Sequence, residues 1–123
     1  NDYSMQQFVY DKQVKAKRST SNLRDGEIEK IAKQRYPNDY SMQQFVYDKQ
    51  LKSKKYMKTV NDMEIKRIAA IRYPNDYSMQ EFVYDKQLKA KNYMNSIPYS
   101  NKKSEAIRRY PNDYSMQQFV YDK

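Results

Sequence analysis

Apolar and polar letters follow one another along this chain with a helical period, and the pattern restarts every 37 residues. In the second unit Met42, Phe45, Val46, Lys49, Ser53, Tyr56 and Met57 share one stripe at about 100° per residue, with Tyr47 and Leu51 nearly opposite. The spacing predicts a helix from Ser41 to about Met57, apolar on two sides, as a layer packed between neighbours requires. The third unit repeats the pattern as Met79, Phe82, Val83, Tyr93 and Met94, with Tyr84 and Leu88 behind. In the first unit Arg18, Ser19 and Thr20 replace the Lys-Tyr-Met of the second, which suits an end unit with one solvated side. A shorter helix follows in each unit: Ile65, Ile68, Ala69 and Arg72 share a face, as do Ile28, Ile31, Ala32 and Arg35. In the third unit Pro98, Tyr99 and Ser100 interrupt this pattern, and Ala106 and Ile107 fall out of phase. A differently packed helix is expected there, from about Asn101 to Tyr110.

Each restart is marked by one phrase. NDYSMQQFVYDK occupies Asn1 to Lys12 and returns unchanged at Asn38 to Lys49 and Asn112 to Lys123; the copy at Asn75 to Lys86 differs only in Glu81. Ser41 with Gln44, and Ser78 with Glu81, have the spacing of capping boxes, and Tyr40 and Phe45 that of a hydrophobic staple. Pro37 and Pro74 stop the preceding helix, while Asn61 and Glu64 form a further capping pair. Gly26 weakens the start of the first short helix. Phe45 is expected in the core, so that Phe45→Ala costs about 3–5 kcal/mol. One unit has too few apolar side chains to fold alone, and repeat units of this kind bury their faces by stacking. The expected fold is therefore all-α: tandem 37-residue helix-turn-helix repeats stacked as a short α-solenoid, with a compact helical bundle as the alternative. The 123 residues form one domain, with units 1–37, 38–74 and 75–111 and a partial fourth unit, 112–123. Starting without Met at a phrase and stopping in mid-unit, the sequence reads as a piece of a longer array, excised or processed.

Charge narrows the choice of partners. The net charge is +9, distributed as +3, +4 and +3 over the three complete units, which favours nucleic acid, an anionic membrane surface or an acidic protein. A solubilising lysine surface accounts for it equally. With no His, no Cys and one Gly, the sequence lacks the usual bases, nucleophiles, metal-ligand sets and phosphate-cradling loops. The Asn38-Asp39 pair reads as a turn before a helix, not as a cation ligand. No enzyme, cofactor or small-molecule substrate is expected. No stretch approaches the roughly 20 apolar residues of a membrane span.

Equivalent basic positions form rows: Lys12, Lys49 and Lys86; Lys15, Lys52 and Lys89; Arg35, Arg72 and Arg109. Interleaved with Tyr10, Tyr47 and Tyr84, such rows could follow a phosphate backbone and stack bases. Plainer roles are open to each, as in the i,i+4 pair of Asp48 and Lys52 or a contact of Arg72 with Asp76. Polar letters of the phrase repeat as faithfully as apolar ones, whereas positions 18 to 34 of the unit drift. Recent duplication explains the fidelity, and so does a repeated contact. The candidate partner-binding residues are Gln43, Asp48, Lys49, Gln50, Lys15, Lys52, Lys89, Arg35, Arg72 and Arg109. The expected function is a non-enzymatic helical repeat module for macromolecular recognition, with a protein partner or self-association preferred. Binding to a nucleic-acid backbone comes second, and a structural spacer or self-associating array third.

Overall fold

The computed structural model describes the backbone of residues 2–21 and 25–123, and the side chains of residues 4–13 and 25–123. Among the described residues there are seven helices and no strand: α1 (Asp2–Ser21), α2 (Gly26–Arg35), α3 (Tyr40–Thr59), α4 (Met63–Arg72), α5 (Tyr77–Ser96), α6 (Asn101–Arg109) and α7 (Tyr114–Asp122). The chain is all-α, and from α1 to α6 long and short helices alternate as the sequence predicts. It divides into two compact units, Asn1–Lys55 and Tyr56–Lys123, the division falling inside α3.

Aspartates start most of these helices, in place of the Ser and Asn expected. The Asp39 carboxylate accepts the Met42 N–H at 3.1 Å, Asp76 that of Met79 at 3.1 Å and Asp113 that of Met116 at 3.1 Å. Asp25 and Asp62 do the same for Ile28 and Ile65, displacing Asn61 as the cap of α4. A carboxylate supplies an acceptor and also a negative charge at the positive end of the helix. Ser41 and Ser78 consequently lie within the first turn, and the Ser78 hydroxyl donates to Asp76 at 2.9 Å. Among the described residues α6 alone is capped by a serine, Ser100, and it spans nearly the range predicted. At the other end of each short helix the N–H of Tyr36, Tyr73 or Tyr110 reaches the carbonyl of Ala32, Ala69 or Ala106. The proline that follows ends the helix, and the N–H of Asp39, Asp76 or Asp113 closes a turn on the same tyrosine's carbonyl.

Part of the predicted stripe is core: Val46, Ser53 and Met57 are buried, as are Val83 and Met94 in the third unit, whereas Phe45 and Lys49 are exposed. In Tyr56–Lys123 one core cluster joins Met57, Ile65, Ala69, Val83 and Tyr84, with Val60, Ile68, Leu88 and Tyr114 packed against it, and Ala90, Met94 and Ala106 are buried as well. In Asn1–Lys55 the buried apolar residues are Ile28, Ile31, Ala32, Val46 and Tyr47. Along α5 the buried positions are Gln80, Val83, Tyr84, Gln87, Ala90 and Met94, so Tyr84 points inward and Phe82 outward. Phe8, Phe45, Phe82 and Phe119 are 55–62% exposed. This overturns Phe45 as core anchor and half of a staple. The reason is electrostatic: burying Phe45 would carry Lys49 inward with it, whereas the face that holds Val46 and Tyr47 brings in neutral Gln43 and Gln50.

Candidate functional site

Two expected contact residues are interior. Gln43 and Gln50 are each 1% exposed, which removes both from any surface a partner could touch. The Gln43 amide donates to the Tyr36 carbonyl at 2.6 Å; Gln80 and Gln117 reach Tyr73 and Tyr110 at 2.7 Å. Each carbonyl also accepts the turn N–H, so its two lone pairs tie the turn to the helix that follows. The second glutamine of a long helix acts at the next phrase. Gln13 donates to the Asp39 carboxylate at 3.3 Å and accepts the Tyr40 N–H at 3.0 Å. Gln87 makes the same pair of bonds with Asp113 at 2.9 Å and Tyr114 at 2.7 Å. A long neutral amide carries donor and acceptor together, which suits a half-buried cap carboxylate beside an unpaired first-turn N–H. The signal was in the sequence: Gln43 and Gln50 stand seven apart, in frame with Val46, Ser53 and Met57.

A second set of contacts, absent from the sequence-based candidates, clasps long helices to short ones. Lys54 Nζ lies 2.8 Å from Asp25 and 2.9 Å from Glu27; Lys91 Nζ lies 2.7 Å from Asp62 and 2.9 Å from Glu64. The Tyr114 hydroxyl donates to both Glu64 oxygens at 2.8 and 2.9 Å, and the Lys91 ammonium sits 5.7 Å from the Tyr114 ring centroid. Hydrogen bonds to Asp25 and Asp62 hold the two ammonium groups above the ordinary lysine range. Burial opposes the charge on Asp62, yet Lys91 and the Ile65 N–H outweigh it and keep the carboxyl below its usual value. Glu64 is lowered chiefly by Lys91, then by Tyr114. In the third unit the letters equivalent to Asp62 and Glu64 are Tyr99 and Asn101, so the clasp belongs to the first two units.

The remaining candidates lie outside. Lys49, Lys52 and Lys89 are exposed on the long helices, and Arg35 and Arg109 at the ends of α2 and α6. Asp48 is exposed and accepts from the Gln44 amide at 2.8 Å. Arg72 pairs with Asp113 at 3.0 Å, a longer reach than the Asp76 expected. The Lys15 side chain lies outside the described residues. The sequence reading missed the phenylalanine between them. Phe45 precedes Lys49 by one turn and Lys52 by two, so helix geometry sets all three on one stripe; Phe82, Lys86 and Lys89 repeat it. In the last copy the Lys123 ammonium stands 4.9 Å from the Phe119 centroid. Two acids beside this stripe are already engaged, for Tyr56 and Tyr93 donate to Asp85 and Asp122 at 2.7 Å. The bond to Asp85, and then burial, pushes the Tyr56 phenol up to about 12. Tyr47 and Tyr84, expected as stacking platforms, are buried.

A cleft of about 420 Å³ lies beside α4, lined by Glu64, Arg67, Ile68, Ile71, Arg72 and Asn112. Two of its polar groups, Glu64 and Arg72, are engaged with Tyr114 and Asp113. Among the described residues no three or more Asp and Glu side chains converge as a metal site needs, and no helix is long and apolar enough to cross a membrane. No protein-family model, characterised protein or solved structure matches this chain.

Proposed function

We propose that the chain is a non-enzymatic helical repeat module whose units stack as a short α-solenoid, and that it recognises an acidic segment of a partner protein. The observation that carries this reading is the exposed phenylalanine. Other repeated apolar letters of the phrase, Val46 with Val83 and Tyr47 with Tyr84, turn inward, while the phenylalanine stays outside in every copy. Aromatic rings are enriched at interface centres, with charged groups kept to the polar rim, and an exposed apolar row marks a contact surface. A helix bearing apolar side chains one turn from carboxylates complements Phe45 with Lys49 and Phe82 with Lys86. The shortage of catalytic side chains in the sequence supports a binding role over chemistry, and the glutamine clasps, seen at Gln13 and again at Gln87, support repeated stacking.

A second reading, single-stranded nucleic acid, is favoured by the same alternation of ring and lysine, with bases on Phe and phosphates on Lys. Titration separates the two. The expected result is saturable binding of an acidic amphipathic peptide, abolished in a Phe45→Ser, Phe82→Ser double variant with unchanged helicity. Oligonucleotide binding that falls with salt at a log–log slope of about −0.7 per neutralised phosphate, with no peptide binding, would transfer the stripe to the second reading.

A further inference from the structure

We infer that the cleft beside α4 is a second binding site, for the free C-terminal carboxylate of a peptide that ends in an aliphatic residue. Its helix and its ligand differ from those of the phenylalanine stripe, so the site stands or falls independently of the acidic-partner reading. Met63, Arg67 and Ile71 stand four apart on α4 and so share one stripe. Met63 is 58% exposed and Ile71 72%, and Arg67 is exposed between them. The equivalent letters are Gly26, Lys30 and Gln34 in the first unit and Ser100, Ser104 and Arg108 in the third. Both α2 and α6 form with those letters, so packing does not require an apolar outer stripe. These positions belong to the part of the unit that drifts, and the second unit carries there a surface that the others lack.

Charges around the cleft leave one cation over. Glu64 is met by the Lys91 ammonium at 2.9 Å and by the Tyr114 hydroxyl at 2.8 Å, and the Arg72 guanidinium lies 3.0 Å from Asp113. Among the described residues Arg67 has no partner. Its N–H donors are free for an incoming anion, and a carboxylate meets a guanidinium through two parallel bonds. Ile68 and Ile71 give the cleft its apolar wall, while Asn112, in the turn before α7, adds an amide. The volume of about 420 Å³ falls in the range of sites that enclose small groups.

The lining thus offers one unengaged cation, aliphatic surface and one amide. An aliphatic residue at a chain end presents the complement of all three from a single Cα: carboxylate, apolar side chain and backbone N–H. Neighbours one helical turn apart, as Arg67 and Ile71 are, stand about 5–6 Å from each other at Cβ. A carboxylate and a side chain on the same Cα span that distance. An internal Asp or Glu carries its charge at the tip of its own side chain and must draw the apolar contact from a neighbour, with backbone leaving the cleft in two directions. The chain end is therefore the better complement.

The test follows fluorescence anisotropy of a short Gly-Ser peptide ending in Val-Leu, with a neutral dye at its N-terminus, as the 123-residue chain is added. Saturable binding is expected for the free acid. The C-terminal amide keeps the side chains and loses the charge, and should bind about tenfold or more weakly. Arg67→Ser and Ile71→Gln install letters that α6 and α2 already carry at Ser104 and Gln34. Each should weaken binding by a similar factor while helicity and melting stay unchanged. The Phe45→Ser, Phe82→Ser double variant should bind the peptide as the parent chain does, which reads the cleft apart from the stripe. No saturable binding by the parent chain, equal binding of acid and amide, binding that survives Arg67→Ser, or loss of binding in the phenylalanine double variant would each overturn the assignment. So would an amidated peptide with an internal Glu-Leu pair that binds as tightly as the free acid, because the ligand would then be a side-chain carboxylate.

Discussion

Tyr10 and Tyr84 occupy the same place in the same phrase, yet Tyr10 is 65% exposed and Tyr84 3%. Their neighbours Val9 and Val83 differ in the same way, 50% against 7%. The phrase thus prescribes a helix and its cap, while the environment of each letter is set by the short helix that does or does not lie against it. Tyr84 packs with Met57, Ile65 and Ala69, meets the Tyr56 ring edge to face, and accepts the Asp62 N–H at 3.2 Å. Among the described residues nothing comparable covers Tyr10. The largest predicted effect follows directly. Tyr84→Ala should cost about 3–5 kcal/mol, and Tyr10→Ala about 0.5 kcal/mol or less. Urea unfolding of both variants measures the difference, and equal midpoints would break the comparison.

The glutamines sharpen it. Gln87→Ala removes the hydrogen bonds to Asp113, Tyr114 and Ser115 at the α5–α7 contact and leaves the Tyr114 N–H without its acceptor, a loss of about 2–3 kcal/mol. Gln6→Ala, in the exposed copy, should change stability by about 0.5 kcal/mol or less. Hydrogen exchange reads the cause as well as the size, since the Tyr114 amide should lose protection in the first variant and keep it in the second. Unchanged exchange at Tyr114 would sink the clasp.

Period, helix lengths and the proline stops were legible in the sequence because they depend on local chemistry. The phase of the long helices was not. Ranking letters by apolarity put Phe45 in the core and Gln43 outside, whereas a neutral polar side chain goes inside when its amide donor finds a carbonyl or carboxylate there. Those partners, Tyr36 for Gln43 and Asp113 for Gln87, come from other elements, so a single helix cannot reveal them. The cap shifted for a related reason: Asp39 and Ser41 both suit the role, and the charge of Asp39 decides. The Lys91 clasp was hidden by distance along the chain, although Lys54 and Lys91 keep one spacing from Asp25 and Asp62 and lose it where Tyr99 appears.

That loss gives the next prediction, which compares the clasped units with the unclasped third. Lys91→Met leaves Asp62 and Glu64 without their cation and should cost about 1–2 kcal/mol, with the smaller figure favoured because Glu64 is partly exposed. The pH dependence has a definite sign. Asp62 and Glu64 are held below their ordinary values, so their contribution is complete above about pH 4 and lost as pH falls further. Lys91 is held above its ordinary value, so its contribution is complete below about pH 10 and lost at higher pH. Tyr56, raised to about 12, loses its own contribution between its ordinary value near 10 and that figure. Stability should be level from about pH 5 to 9 and fall on both sides, and Lys91→Met should flatten the acid limb. An acid limb identical to that of the parent chain would mean that the clasp contributes nothing.

The smallest expected effect is the one that separates fold from function. Phe82→Ala should change stability by about 0.5 kcal/mol or less, a tenth of what a core phenylalanine would cost, because its ring is more than half in water. The same holds for Phe45→Ala, in contrast to the 3–5 kcal/mol that the core assignment of the sequence required. A loss above about 2 kcal/mol in either variant would return the phenylalanine to the packing account and leave the outer stripe with lysines alone. A loss near zero means that this ring is not needed to hold its helix in place, although it recurs in each copy of the phrase. Phe82→Ala is then a clean probe of binding: any change in partner affinity reports on the surface of α5 and not on its packing against α4.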